Sequence, residues 1–374
     1  MKFPARTLSA LAVWAIAAAF ASPQAPPPAV GVVFSMSNAA SGNEIIVFDR
    51  APDGTLTLSP TTYPTSGMGT GQALNSSGSL AYGRDLNHRW LAAVNAGSGD
   101  VTLFELTGTS TLQMTSTVPS GGDKPISVAL RDDVLYVLNA GNPNNVSGFT
   151  IDQQGGLTAI PNSMRPLSAA TTGPAQVGWS PKGDELLVTE KQTDLIDIFS
   201  MDGSTNLATS MASLPSNGPT PFAFKFLGGK KMLVTESFNG QTDASSLSCY
   251  AQQGQTLTLL DGSVTTTETT ARWLTTSHNK KFAYTSNFVS GTISGFQVTL
   301  NGKLTLLNVD GVTATTGPSP ADLATATTKY LYVLNSGDGT ISGFKVNRAT
   351  GALTSLGASV AGLPTSGAAG LIAF

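Results

Sequence analysis

The sequence predicts an all-β chain folded as a seven-bladed β-propeller, with four-stranded antiparallel blades and a ring closed by pairing of its N- and C-terminal strands. Three observations carry this prediction. An aromatic ends an alternating β-run at Phe48, Phe104, Phe149, Phe199, Tyr250, Phe296 and Phe344, at intervals of 45–56 residues. Each aromatic belongs to a phrase of four strand-like runs, as in "KYLYVLNSGDGTISGFKV" and its near copy "VLYVLNAGNPNNVSGFTI". The 374 residues include 40 Gly and 21 Pro and only 11% charged side chains, which suits short strands joined by tight turns. Four strands in a repeat of this length form a propeller blade.

At the start, "MKFPARTLSALAVWAIAAAFAS" sets Lys2 and Arg6 before an apolar run that ends in small residues around Ala21. That order is a secretory signal, and the run is short for a membrane span. Residues 1–21 are expected to be a signal peptide, 22–29 ("SPQAPPPA") a Pro-rich leader and 30–374 the propeller, so the protein is expected to be secreted into the extracellular space. No later stretch spans a bilayer, and the terminal "GLIAF" is too short for a lipid-anchor signal. Two sequons, at Asn75 and Asn145, make a glycoprotein if the host glycosylates, with both sites expected in exposed turns.

Within each blade the strands are labelled A to D from the channel outward. A strands are read in "PISVAL", "PAQVGW", "PFAFKF", "ARWLTT" and "PADLAT". B strands follow in "WLAAVN", "LYVLN", "LLVTE", "MLVTE" and "FAYTSN", C strands carry the recurring aromatic, and D strands follow Asp-Gly or Asn-Gly turns in "DGTLTL" and "NGKLTLL". The first repeat lacks an A strand and the end "SGAAGLIAF" supplies one, closing the ring and removing a free sheet edge.

With 20 Lys+Arg against 23 Asp+Glu, the charge balance points to no nucleic-acid partner. One cysteine, Cys249, excludes an internal disulfide and is expected as a small buried strand residue. Nothing in the sequence specifies an oligomer, so a monomer with a small-molecule substrate is expected.

Up-and-down order puts the B–C loops and D–A connections on one face. The B strands end there in Asn38, Asn95, Asn139, Glu190, Glu236, Asn287 and Asn335. In a closed ring these would gather round one mouth, the Asn residues capping turns or orienting a ligand. The adjacent carboxylates Glu190 and Glu236 are the catalytic candidates, one of them to transfer a proton as general acid or base. Cations on that face are Lys124, Arg165, Lys191 and Arg272; Gln176, Trp273, Asn287 and Asn335 are further candidates for holding substrate. His88 and His278 fall in A–B turns on the opposite face, which excludes a His-based triad or metal cluster at the mouth. A ring of carboxylates and amides offers oxygens that Ca²⁺ accepts, but no loop is dense in Asp, so no metal or other cofactor is expected.

The segments "GPAQVGWSPKGDELLVTEKQTDLIDIF", "PFAFKFLGGKKMLVTESFNG" and "ARWLTTSHNKKFAYTSNFVSGTISGF" resemble the seven-bladed lactonase-like propellers, relatives of 6-phosphogluconolactonase and 3-carboxy-cis,cis-muconate cyclase. The resemblance runs from about Val32 to the end. It implies that Arg272-Trp273 binds a substrate carboxylate and that a Glu at a B-strand end moves a proton with a His; Asn287 stands where that Glu is expected, and Gln176 where a His would be. The expectation is a secreted enzyme that opens or forms a small carboxylated lactone. The alternative is a secreted or cell-surface binding propeller without chemistry.

Overall fold

In the computed structural model, Met1 and residues 29–374 are described. All of the expected signal peptide (1–21) but Met1, and all of the leader (22–29) but Ala29, lie outside the described residues. The rest is a ring of seven antiparallel sheets, with one short 3₁₀ turn at Phe238–Gly240 as its only helical element among the described residues.

From the channel outward, blade 2 comprises Leu80–Arg84, Arg89–Asn95, Asp100–Leu106 and Leu112–Pro119. Blade 4 comprises Pro174–Trp179, Glu185–Glu190, Leu195–Asp202 and Leu207–Pro215; blade 5 comprises Pro221–Gly228, Lys231–Glu236, Ser246–Gln253 and Thr256–Thr265. Blade 3 opens with Pro125–Arg131, Val134–Asn139 and Asn145–Ile151, blade 6 with Ala271–Thr276, Phe282–Asn287 and Thr292–Val298, and blade 7 with Pro320–Ala326, Tyr330–Asn335 and Thr340–Val346. Their D strands differ from the expected single run: each is two short pieces, such as Leu157–Ala159 and Arg165–Pro166, both paired to the same C strand.

Blade 1 is closed as the sequence predicts. The last strand, Ala369–Ala373, lies innermost against Gly31–Met36, followed by Glu44–Arg50 and Leu56–Pro64. Its register pairs Val33 with Ala373 and Ser35 with Leu371, then slips by one before Met36. Gly370 permits the slip: it has φ +74°, and a Cβ there would meet Leu80 Cβ at 2.6 Å. Buried Arg50 fastens the end by donating from Nε to the Phe374 carbonyl at 2.8 Å, and the Phe374 ring packs edge-on against Tyr82 at 4.5 Å.

All seven recurring aromatics sit on C strands and are buried between blades. A blade is apolar on both faces because it packs a neighbour on each side, so B strands such as "ELLVTE" are buried end to end. Cys249 is buried in the C strand of blade 5, where desolvation pushes its thiol up to about 11.

Candidate functional site

The B–C face carries a cleft of about 640 Å³, a volume suited to a small molecule. It is built from connections as well as strands. Asn75 comes from the connection between blades 1 and 2, Lys124 from the next, Asn142 and Asn144 from the blade 3 B–C loop, and Lys191 and Gln192 from that of blade 4. Thr220, Phe222, Asn239 and Arg272 complete it from blades 5 and 6. Lys124 (φ +55°), Gly173, Thr220, Thr270 and Ser319 each have positive φ immediately before an A strand, so the turn that presents Lys124 and Thr220 is a feature of the repeat.

The cleft is cationic. Lys124, Lys191 and Arg272 line it, and no Asp, Glu or His does so among the described residues. The Arg272 guanidinium is held over two rings, 5.5 Å from the centroid of Phe222 and 5.0 Å from that of Phe288, and donates from Nη1 to Asn75 Oδ1 at 2.9 Å. Of its five N–H donors this is the one engaged by a described residue; Nε is buried without an acceptor. Lys191 Nζ donates to the carbonyls of Asn75 (2.5 Å) and Pro174 (3.0 Å) and lies 5.2 Å from the Phe222 centroid. Burial first, then the charges of Arg272 and Lys124, push the Lys191 ammonium down to about 7. Burial also lowers Arg272 from its usual value. Beneath them Trp273, 4% exposed, packs against Phe222 and donates from Nε1 to the Ser76 carbonyl at 2.8 Å, supporting the Phe222 wall from below rather than lining the cleft. The substrate contact expected of Trp273 is therefore replaced by a structural one.

Glu190 and Glu236 do not line the mouth as expected. Both are fully buried, and each reaches across the B–C ladder into its own blade, away from the cleft. Glu236 accepts from five donors: Gly218 N, Ser216 Oγ and Ser248 Oγ on Oε1, with Ser246 Oγ and Ser263 Oγ on Oε2. Glu190 accepts from Ser168 N and Oγ and Thr193 Oγ1, and lies against Asp197 on the C strand. Burial, then the hydrogen bond to Glu190, pushes Asp197 up to about 8.

Four of the five Asn residues at the same position have the same role; Asn38 instead donates from Nδ2 to Thr70 Oγ1 and to the carbonyls of Gln72 and Gly367. Asn287 Nδ2 donates to Thr292 and Ser294, and Asn335 Nδ2 to Thr340 and Ser342, five and seven residues on in each case. Asn95 and Asn139 likewise bond C-strand side chains, Asn95 to Asp100 and Thr102. The expected polar ring is thus a seam inside the blades, and Asn287 and Asn335 are buried away from any ligand. A strand end fixes the face on which a residue sits; the cross-strand partner decides its radial direction.

Three further expectations are corrected. Arg165 sits on the rim of blade 3, donating to the carbonyls of Ala208 (2.7 Å), Asn162 and Met164, outside the cleft. Gln176 clips blade 4 to blade 5 through Phe224 N and O and faces the central channel. The Asn145 sequon is not in an exposed turn: Asn145 is 4% exposed within a strand, its Oδ1 accepting from Asn139. Asn75 is exposed, but as a wall of the cleft. His88 and His278 occupy the opposite face, as expected, with His88 held by Asp85 and stacked on Trp90.

Of the candidates for holding substrate, the cleft assembles Lys191 and Arg272, together with Lys124. Asn142, Asn144 and Asn239 carried no signal in the sequence, because each lies in a B–C loop whose length and conformation vary from blade to blade.

No curated protein matches the sequence. Among solved structures, the chain is similar to a candidate 6-phosphogluconolactonase of Bacteroides fragilis, with 20% identity, TM-score 0.63, and 92% of this chain and 98% of that one covered. A similar candidate from Bacteroides uniformis gives 18% identity and TM-score 0.71 over 92% and 98% of the two chains. A periplasmic gluconolactonase of Pseudomonas aeruginosa gives 14% identity and TM-score 0.69 over 91% and 99%. At such identities these likenesses concern the fold. The model of the family described as "Lactonase, 7-bladed beta-propeller" matches residues 43–366, most of the chain, and the protein therefore belongs to that family of lactone-hydrolysing enzymes.

Proposed function

We propose that the protein is an exported hydrolase of a small anionic lactone, one bearing a carboxylate or phosphate, and that it acts in the cleft of Lys124, Lys191 and Arg272. The observation that carries this reading is a small-molecule cleft with three cationic side chains and no carboxylate among its described lining residues. A neutral lactone would leave the Lys124 and Arg272 charges uncompensated, whereas an anionic one supplies their missing partner. Lys191 is the general base. Near neutral pH a large share of it is free amine, able to take a proton from water as the oxygen attacks the lactone carbonyl. Arg272, held between Phe222 and Phe288, has N–H donors to spare for the oxyanion that develops. Collapse breaks the ring C–O bond; the Lys191 ammonium returns its proton to the leaving alkoxide, and a hydroxy acid departs. Hydrolysis fits better than muconate-type cyclisation, because the Glu and His groups that cyclisation would use all lie off the cleft. Export is supported by the cationic, apolar and small order of residues 2–21.

The test is turnover of glucono-lactone, its 6-phosphate ester and a carboxylated lactone by wild type, Lys191→Met and Arg272→Met. The anionic lactones should be preferred by about ten-fold or more in kcat/KM, the worth of one charged hydrogen bond. Lys191→Met should lose on the order of 10²–10⁴ in kcat and the rise of kcat/KM with pH through about 7. Equal use of the neutral lactone, or full activity in Lys191→Met, would overturn the reading. Export is checked by sequencing the N-terminus of secreted protein, where a start at Met1 would refute it.

A further inference from the structure

A second cavity, of about 540 Å³, occupies the core of the ring and is lined by the A strands of all seven blades. It shares no lining residue with the cleft. Along successive A strands one residue faces the cleft and the next but one faces this channel: Ile126 then Val128, Pro174 then Gln176, Phe222 then Phe224, Arg272 then Leu274. Between the two hollows lies the packed pair Phe222 and Trp273, with rings 5.0 Å apart and both sealed from solvent. The channel therefore opens on the A–B face, past His278 and Lys280.

Polar atoms supply more of its wall than apolar ones do, and its charged groups come from three neighbouring blades. Lys225 from blade 5, Lys280 from blade 6 and Asp322 from blade 7 all line it. Lys225 makes no hydrogen bond through its ammonium to any described residue, and the two ion pairs among the described residues, His88–Asp85 and Arg131–Asp132, lie elsewhere. The hollow admits water to Lys225, yet the surrounding strands strip away enough solvent to lower its pKa, and the charge of Lys280 lowers it further while Asp322 opposes that. Among the described residues Lys280 Nζ reaches only Thr276 Oγ1, at 3.2 Å. Asp322 is engaged by backbone: its Oδ1 accepts from Leu323 N at 2.8 Å, and the Leu371 amide also faces it. The carboxyl is thus hydrogen-bonded by backbone, and although its charge is felt at Lys225 it forms no ion pair with either ammonium group among the described residues.

We propose that the central channel is a second binding site, specific for a compact oxyanion (a small carboxylate or inorganic phosphate) held between Lys225 and Lys280 and reached from the face opposite the cleft. An ammonium in a walled hollow lacks the full hydration that stabilises it, and an oxyanion of matching size restores its partners. Depth favours small ligands, since entry is past the rim of A–B turns and the far end is shut by Phe222 and Trp273.

Calorimetric titration of the full chain with inorganic phosphate, and separately with glycolate, tests this. Wild type should show a channel event with one or both probes in addition to any at the cleft. Lys225→Met and, at the rim, Lys280→Met should each weaken it by about ten-fold or more, while Arg272→Met leaves it intact. Lys225→Arg, which keeps the charge, should retain binding and guards against a folding defect. The probe that binds names the source of the oxyanion. Absence of any event sensitive to Lys225 and Lys280 with both probes, or a single event lost in Arg272→Met alone, would overturn the proposal. Lactone turnover plays no part in the readout, so the proposal stands or falls separately from the cleft.

Discussion

Replacing Asp197 by Asn should make the protein more stable in mild alkali. Asp197 is fully buried on the blade 4 C strand, where the equivalent positions hold Thr102, Ser147, Ser248, Ser294 and Ser342, all neutral. Its Oδ2 accepts from Ser168 N at 3.2 Å, its Oδ1 has no partner among the described residues, and Glu190 lies against it. Burial and that neighbour raise its pKa from 3.8 to about 8, so the folded state holds a proton that the unfolded chain releases near pH 4. With the folded value raised, the stabilisation is fully present below about pH 4, falls as pH rises, and is gone above about pH 8. At about 1.4 kcal/mol per pH unit, a span of about four units sets a ceiling of roughly 5–6 kcal/mol. Asp197→Asn keeps a hydrogen-bond donor for Glu190 and cannot ionise. Urea unfolding from pH 4 to pH 9 is the assay, read as the difference between wild type and variant, since Asp322 and Lys191 also titrate in this range. The difference should move toward the variant by a few kcal/mol across the window. Parallel curves, or a variant less stable than wild type at pH 9, would refute the assignment of Asp197 as the proton holder.

Other outcomes follow from the same contacts. Glu236→Gln places an amide N–H₂ where only donors point, so it should cost about 1–3 kcal/mol in thermal or urea unfolding, with lactone turnover by the folded variant unchanged; a stable but inactive variant would return Glu236 to the chemistry. Deleting Leu371–Phe374 removes most of the innermost strand of blade 1, its pairing with Gly31–Met36 and the Arg50 fastening, and should lower the melting temperature of the whole ring cooperatively; an unchanged melt would show that blade 1 closes without it. Arg272→Lys keeps a charge but loses the planar fork over Phe222 and Phe288, so KM for an anionic lactone should rise about ten-fold; an unchanged KM would place substrate elsewhere. His88→Ala, on the far face, should leave kcat/KM unaltered, and a large loss would contradict the location of the site.

The architecture was legible in the sequence because a propeller repeats one local pattern. The aromatic of each C strand must fill the space between blades in every repeat, so Phe48 through Phe344 recur at blade spacing, and the missing first strand and surplus last one could only pair with each other. The sequence also indicated which face each loop occupies, since alternation of strand direction is a matter of counting, and it thereby grouped Lys124, Arg165, Lys191 and Arg272 on one face, of which Arg165 falls outside the cleft. Radial direction was beyond it. Glu190 and Glu236 end B strands at the same height as the cleft, but whether such a side chain turns inward or outward depends on which donors the neighbouring strands offer; serines at 168, 216, 246, 248 and 263 draw both into the blades. The cleft was equally a product of closure: Asn75 meets Arg272 across 197 positions of chain, and the burial that lowers Lys191 exists only when the ring is complete.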